Sequence, residues 1–243
     1  MTDIHCHILF GLDDGSAGLD ESVRMASLAY SGGTRQIVAT PHCNIPGSYR
    51  NHWNDDIEDR FRALRHAVEK AGIDVKIYPG NEIFCAGRFI TLLKQGALRT
   101  LNDSRYALVE FDFDEYSSSV YMKLEQLAAE GFVPVVAHPE RYGFTSEEPD
   151  AIMRLKDIGC LLQVNKGSLK GAFGFSARQT AMHIMEERLA DFVASDAHSP
   201  FVRTPYLADA DELISETYSD DYARLVLWDN PAAAVADKRI LSF

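Results

Sequence analysis

Cysteine is scarce in this sequence and nowhere patterned. Cys6, Cys43, Cys85 and Cys160 form no C-x-x-C unit and no disulfide framework, which suits a reducing compartment and points to the cytoplasm. Long hydrophobic runs are missing as well, so no stretch reads as a membrane-spanning helix. Positive charge is in deficit, with 24 Lys and Arg against 36 Asp and Glu for a formal charge of −12. Such a chain lacks the basic footprint that holds nucleic acid or an anionic membrane. No internal repeat, low-complexity tract or linker interrupts the sequence, and residues 1–243 read as a single domain. The first residues run straight into a strand-like segment carrying chemistry-bearing side chains, so no removable leader is expected. Oligomeric state leaves no readable mark.

What is present is an alternation of apolar strand-like runs and amphipathic helices. Seven runs read as strands, at residues 2–5, 36–40, 74–80, 105–111, 133–138, 160–164 and 191–195. Between them Ile57, Phe61, Leu64 and Val68 recur at helical spacing, as do Ile152, Leu155 and Ile158. Gly32-Gly33, Gly72, Gly131 and Gly159 stand where helices should end. Strands each followed by a helix imply parallel pairing through right-handed crossovers. The two solutions are a (β/α) barrel with fewer strands than usual or an open doubly wound sheet.

The chemistry sits at the strand ends. His5 and His7 lie one residue apart at the end of the first strand, followed by Asp13-Asp14-Gly15. Side chains two apart on a strand share a face, so both imidazoles can serve one ion. Thr40-Pro41-His42, Gly80-Asn81-Glu82, Val109-Glu110-Phe111, Ala137-His138-Pro139-Glu140-Arg141 and Ser195-Asp196-Ala197-His198 close later strands. In a parallel barrel these ends meet on one face. Neutral imidazoles mixed with carboxylates suit Mn, Fe or Zn better than Ca or Mg. His5, His7, Asp14, His42, Glu82, Glu110, His138, Asp196 and His198 make nine candidate ligands, enough for two or three ions. His52, His66 and His183 read as solvated surface residues.

Residues 44–54 read as a long surface loop. Its Tyr49 and Trp53 stand next to His42 in the chain, either to grip an aromatic substrate or to pack the loop down. Cys43 and Arg50 do not make a thiol phosphatase loop. The residues between them number one too many, and Pro46 removes an amide donor needed to wrap a phosphate.

These fragments, with Leu101–Glu110, Gln163-Val164-Asn165 and Asp229-Asn230-Pro231, resemble the polymerase-and-histidinol-phosphatase (PHP) superfamily over nearly the whole chain. Within it the chain is similar to the bacterial manganese-dependent protein-tyrosine phosphatases of capsule and exopolysaccharide synthesis. The resemblance implies an α/β fold, a distorted (β/α)7 TIM-like barrel. It also implies a trinuclear site, usually Mn, with Fe or Zn compatible with the same donors. The nine residues above are the implied ligands. Arg141 and Arg203 match the family's two phosphate-holding arginines, the alternative for Arg141 being an ion pair with Glu140 or a surface role, and for Arg203 likewise a role away from phosphate. The implied substrate is a phosphotyrosine protein, the tyrosine-rich tail of a bacterial tyrosine kinase, hydrolysed by direct attack of hydroxide. Cys6 departs from the commoner Ser or Asn and, between two inward histidines, should face away from the metals. Rival readings are another PHP phosphoesterase acting on a small monoester such as histidinol phosphate, an amidohydrolase, and a non-enzymatic regulatory subunit. The amidohydrolases usually carry a bridging lysine on the fourth strand, where this chain has Glu110.

Overall fold

The computed structural model describes residues 1–148 and 150–242. Its strands are β1 (Thr2–Cys6), β2 (Gln36–Ala39), β3 (His42–Cys43), β4 (Lys76–Pro79), β5 (Glu82–Phe84), β6 (Tyr106–Glu110), β7 (Val133–Ala137), β8 (Leu161–Asn165) and β9 (Phe192–Ala194). All seven expected segments are there, and two of them continue after a break into a second, shorter strand. The breaks fall at Thr40-Pro41 and Gly80-Asn81. Proline has no N–H to give a ladder, and a Cβ on Gly80 would lie 2.7 Å from Val38 Cγ1.

Each break is also a change of partner. β1, β2 and β4 form one parallel sheet, whereas β3 and β5 join β6, β7, β8 and β9 in another. The two sheets curl into a distorted TIM-like barrel. Its ends approach where the His7 N–H donates to Ala197 O at 2.8 Å and the Asp196 N–H donates to His5 O at 2.9 Å. Cys6 bridges Ala197 at the same place.

β1 does not alternate simply. Asp3 pairs with Ile37 and Cys6 with Ala39, so a bulge inserts one residue between these pairs. Ile4 consequently joins the barrel interior with Val38, Leu108, Val135, Ala137 and Ala194, while His5 and His7 point to the site above. Cys6 packs outward with Ile8, Met25 and Ile37, as its position between the histidines requires.

Helices cover the barrel. The helix Asp55–Lys70 buries Ile57, Phe61, Leu64 and Val68, and Asn54 caps it by accepting from the Ile57 N–H. Ala151–Asp157 buries Ile152 and Leu155. No helix among the described residues is long and apolar enough to cross a membrane.

Candidate metal centre and active site

Every candidate ligand arrives at one end of the barrel. Gln163 Oε1 lies 2.7 Å from His5 Nδ1, and Asp13 Oδ2 lies 2.8 Å from His7 Nδ1. A carboxylate only accepts hydrogen bonds, so Asp13 places the His7 proton on Nδ1. The same logic orients Gln163 by a relay. Asp196 accepts from Asn165 Nδ2 at 2.5 Å, which turns Asn165 Oδ1 toward Gln163 Nε2 at 2.8 Å and leaves Gln163 Oε1 for His5. Both Nε2 lone pairs therefore face inward, and the two nitrogens are 3.2 Å apart. Lone pairs so placed repel unless a cation lies between or beside them.

Carboxylates surround that point. Glu82 Oε2 is 3.3 Å and Asp196 Oδ1 3.4 Å from each of the two Nε2 atoms. On the adjoining side His42 Nδ1 is 2.8 Å from Glu110 Oε1 and 2.9 Å from Glu82 Oε2. Asp14, half exposed at the mouth, reaches His42 Nε2 at 3.6 Å and His198 Nε2 at 3.5 Å. His138 Nε2 meets Glu82 Oε1 at 2.8 Å. His198 Nδ1 lies 3.0 Å from Asp196 O, which leaves its Nε2 directed into the site.

Three donor groups are close enough to hold a cation each: His7, Asp14, His42 and His198; His5, His7 and Asp196; and His42, Glu82 and Glu110. They share His7 and His42, so the pockets are contiguous. His138 stands outside these groups and joins them through Glu82. Three buried ligand-type atoms, Glu82 Oε2, His138 Nδ1 and His198 Nε2, make no hydrogen bond. Such atoms are costly when unpaired, and cations would satisfy them. The residues fit a metal centre.

The electrostatics agree. Burial pushes His138 and His198 below the ordinary histidine value, keeping both imidazoles neutral with a free lone pair. Burial resists a proton on His5, yet the charges of Glu82 and Asp196 outweigh it and hold its pKa above the usual value. The negative field that favours a proton there also favours a divalent cation. Burial and the nearby Glu82 push Glu110 up to about 7, a cost that bound positive charge removes.

Arg141 and Arg203 flank this cluster. Arg141 Nη1 lies 3.8 Å from Asp196 Oδ2, and Arg203 Nη2 pairs with the same oxygen. Glu140 forms no ion pair with Arg141 among the described residues. It is fully buried, accepting from the Asn165 N–H and the Ser168 hydroxyl. Arg141 instead lies between aromatic rings, its Cζ 4.5 Å from the Phe113 centroid and 4.3 Å from that of Phe173. Phe173 also underlies Arg203 at 5.3 Å. The His198 N–H closes onto Arg203 O at 2.9 Å, so the intervening turn fixes where Arg203 begins. His138, Asp196 and Arg203 all have left-handed φ, at 34°, 48° and 51°, backbone strain of the kind that gathers at functional sites.

The loop after His42 divides its aromatics. Tyr49 stacks on His42 with centroids 5.9 Å apart and planes 4° from parallel. Trp53 turns away, donating to Glu58 at 3.0 Å and packing on Phe61 and Arg99. Cys43 is buried with its thiol pushed up to about 12 by desolvation, which removes it as a nucleophile. His66 and His183 are exposed as expected. His52 differs, being half-buried and hydrogen-bonded to Asn44 at 3.3 Å.

Four residues with structural roles in the site escaped assignment. Asp13, Gln163 and Asn165 lay within quoted motifs but had no stated task, and only the hydrogen-bond relay reveals one. Phe173 carried no signal at all, because its neighbours in space are remote in sequence.

A distorted barrel that collects imidazoles, carboxylates and arginines at its strand ends belongs to the TIM-like class with a candidate polynuclear centre. Within that class the chain belongs to the CpsB/CapC family of capsular polysaccharide synthesis, whose model matches residues 1–236. It is 34% identical over 221 residues to the tyrosine-protein phosphatase YwqE of Bacillus subtilis, covering 91% of this chain and 86% of that protein. It is 31% identical to the tyrosine-protein phosphatase CpsB of Streptococcus pneumoniae, covering 99% of this chain and all of that protein (100%). A solved structure from work on YwqE and CpsB, described as unique metal-dependent tyrosine phosphatases, superposes with a TM-score of 0.92. Identity there is 32%, covering 100% of this chain and 97% of that one. An organophosphorus hydrolase from Deinococcus radiodurans, 13% identical, shares the fold with a TM-score of 0.63 over 96% of this chain and 92% of its own.

Proposed function

We infer that this chain is a metal-dependent protein-tyrosine phosphatase acting on a phosphotyrosine protein. The observation that carries the reading is the meeting of His5 and His7 Nε2, 3.2 Å apart and flanked by Glu82 and Asp196, with Arg141 and Arg203 both reaching that same Asp196. That is a cation site joined to an anion site. His5, His7, Asp14, His42, Glu82, Glu110, His138, Asp196 and His198 hold the metals, with Mn as the expected ion and three as the expected number. Fe or Zn would suit the same donors. Bound divalent ions supply Lewis acidity and a water of lowered pKa.

The protein's own side chains do the rest. Arg141 and Arg203 donate to the nonbridging oxygens of the phosphate and offset the charge that develops there. Phe173 holds both guanidiniums in place, and Asp13 and Gln163 keep His5 and His7 in the tautomer that faces inward. Tyr49, lying flat on His42, offers a surface for the substrate ring. Tyrosinate, with a pKa near 10, leaves without strong acid assistance. The cognate substrate is the tyrosine-rich tail of a bacterial tyrosine kinase that governs capsule or exopolysaccharide synthesis, and the reaction belongs in the cytoplasm. The relatives named above are tyrosine phosphatases, which favours this reading over histidinol phosphate.

The test is phosphate release from a phosphotyrosine peptide by metal-stripped protein, with and without Mn. Histidinol phosphate and a phosphoserine peptide serve as comparison substrates. Mn-dependent turnover that prefers phosphotyrosine is expected. Turnover of the small monoester alone would move the chain to a different phosphoesterase activity.

A further inference from the structure

A cavity of about 330 Å³ opens between the loop after His42 and the loop after β5, lined by Asn44, Ser48, Arg50, His52 and Arg88 among others. Its volume lies within the range of small-ligand pockets, about 300–1,000 Å³. Arg50 and Arg88 line it from the exposed surface, and neither appears in any ion pair among the described residues, although the chain carries a net charge of −12. Arg50 is also oriented. Its Nε donates to His52 Nδ1 at 3.4 Å, His52 Nε2 donates to Asn44 Oδ1 at 3.3 Å, and Asn44 Nδ2 donates to the Phe84 and Ala86 carbonyls at 2.9 and 3.0 Å. The relay needs a neutral His52, and burial together with Arg50 lowers its pKa. The terminal Arg50 nitrogens remain free for a ligand.

The place of the cavity gives its ligand. The chain from Asn44 to Arg50 is a hairpin closed by Asn44 N–H to Arg50 O and Ile45 N–H to Tyr49 O. Tyr49 stacks on His42 at the metal cluster, while Arg50, its chain neighbour, lines the cavity. Tyr49 and Arg50 are consecutive in this loop, so the cavity and the metal-cluster mouth are neighbouring sites. We propose that this cavity binds a second phosphate dianion on the same substrate, a neighbouring phosphotyrosine of a multiply phosphorylated segment. The proposal rests on the phosphatase reading and deepens it. Arginine forks match phosphate oxygens in pairs, and a local positive pocket lets an acidic enzyme hold a polyanionic chain.

The experiment compares KM for peptides bearing one phosphotyrosine, two phosphotyrosines at short spacings, or one phosphotyrosine and a glutamate. It uses the wild-type protein and the R50Q/R88Q variant, with para-nitrophenyl phosphate as a small substrate that spans one site only. For wild type the doubly phosphorylated peptide should have a KM about ten-fold lower at one spacing, as expected for a charge-assisted bidentate contact. The variant should lose that advantage and keep its kcat on para-nitrophenyl phosphate. An equal advantage in wild type and variant, or one fully reproduced by glutamate, overturns the proposal. So does loss of the advantage to added inorganic phosphate at concentrations that leave para-nitrophenyl phosphate turnover unchanged, which would assign the pocket to the free ion. If neither peptide is hydrolysed, the phosphatase reading fails instead. Anisotropy of the same labelled peptides then still reads the pocket, and equal binding of both by wild type and variant overturns it.

Discussion

Asp13 decides the chemistry of His7 without being a ligand itself. Its Oδ2 accepts from His7 Nδ1 at 2.8 Å and from the His42 N–H at 2.8 Å, tying two candidate ligands to one carboxylate. Gly15 makes this possible, since a Cβ there would sit 2.4 Å from His7 Cβ and from His7 O. D13N can present either an amide N–H or an oxygen to Nδ1, and its charge is gone. Removing such an orienting partner typically lowers metal affinity about 10–100-fold. That range is the expected outcome for D13N in a metal titration, with the fold retained by circular dichroism; unchanged affinity would remove Asp13 from the site. Cys43 gives the opposite expectation. Its thiol, pushed up to about 12 and hydrogen-bonded to the Arg50 and Asn51 carbonyls, stays protonated at neutral pH. C43A should therefore keep its kcat, and iodoacetamide should leave Cys43 unlabelled in the folded protein. Loss of turnover in C43A with normal metal content would reopen a thiol mechanism.

The element that sets the arginines is the short connection after β8. The helix Lys166–Leu169 leads through Gly171 to Phe173, and a Cβ on Gly167 would lie 2.7 Å from Phe173 Cε2. Gly167 thus seats the ring, and the ring supports Arg141 and Arg203 together. Cation–π contacts contribute about 0.5–2 kcal/mol each. F173A should raise KM for a phosphotyrosine peptide several-fold with metal content unchanged, and F173W should restore it. A merely structural Phe173 would lower Tm and leave KM alone. G167A should act in the same direction as F173A by displacing the ring.

Elements also show what could be read from the chain and what could not. The strand ends were legible because short apolar runs closed by His, Glu or Asp mark them locally. The partner changes at Pro41 and Gly80 were not, since pairing β3 and β5 with a different sheet from β2 and β4 is a tertiary choice. The bulge at Ile4 and His5 was hidden for the same reason. Trp53 and Tyr49 looked alike in sequence, and only the anchoring of the loop on Glu58 and Arg99 separates the packing residue from the one beside the candidate ligand His42. Arg141 and Arg203 were named by motif, but the ring that carries both lies in a segment with no motif.

At the scale of the whole molecule, the candidate site is where the barrel closes, so metal binding there should be coupled to folding. The seam between β1 and the end of β9 rests on backbone bonds from His7 to Ala197 and from Asp196 to His5, residues that are themselves candidate ligands or adjoin them. Four carboxylates and five imidazoles crowd this end of the barrel, where Glu82 Oε2, His138 Nδ1 and His198 Nε2 are buried without a hydrogen bond. The unfolded chain has no such assembly, so ions that bind the native state stabilise it by mass action. One site filled at a hundred times its Kd contributes about 2.7 kcal/mol. For a domain of this size each kcal/mol moves Tm by roughly 2–4 °C. Chelation should therefore lower Tm by at least about 5 °C, and Mn should restore it. H7A should lose most of that metal-induced gain, because His7 belongs to two of the three donor groups. R50Q/R88Q, whose residues lie outside those groups, should keep it. An identical Tm with and without metal would separate the centre from the fold and make the ligand cluster an appendage of a barrel that closes by packing alone.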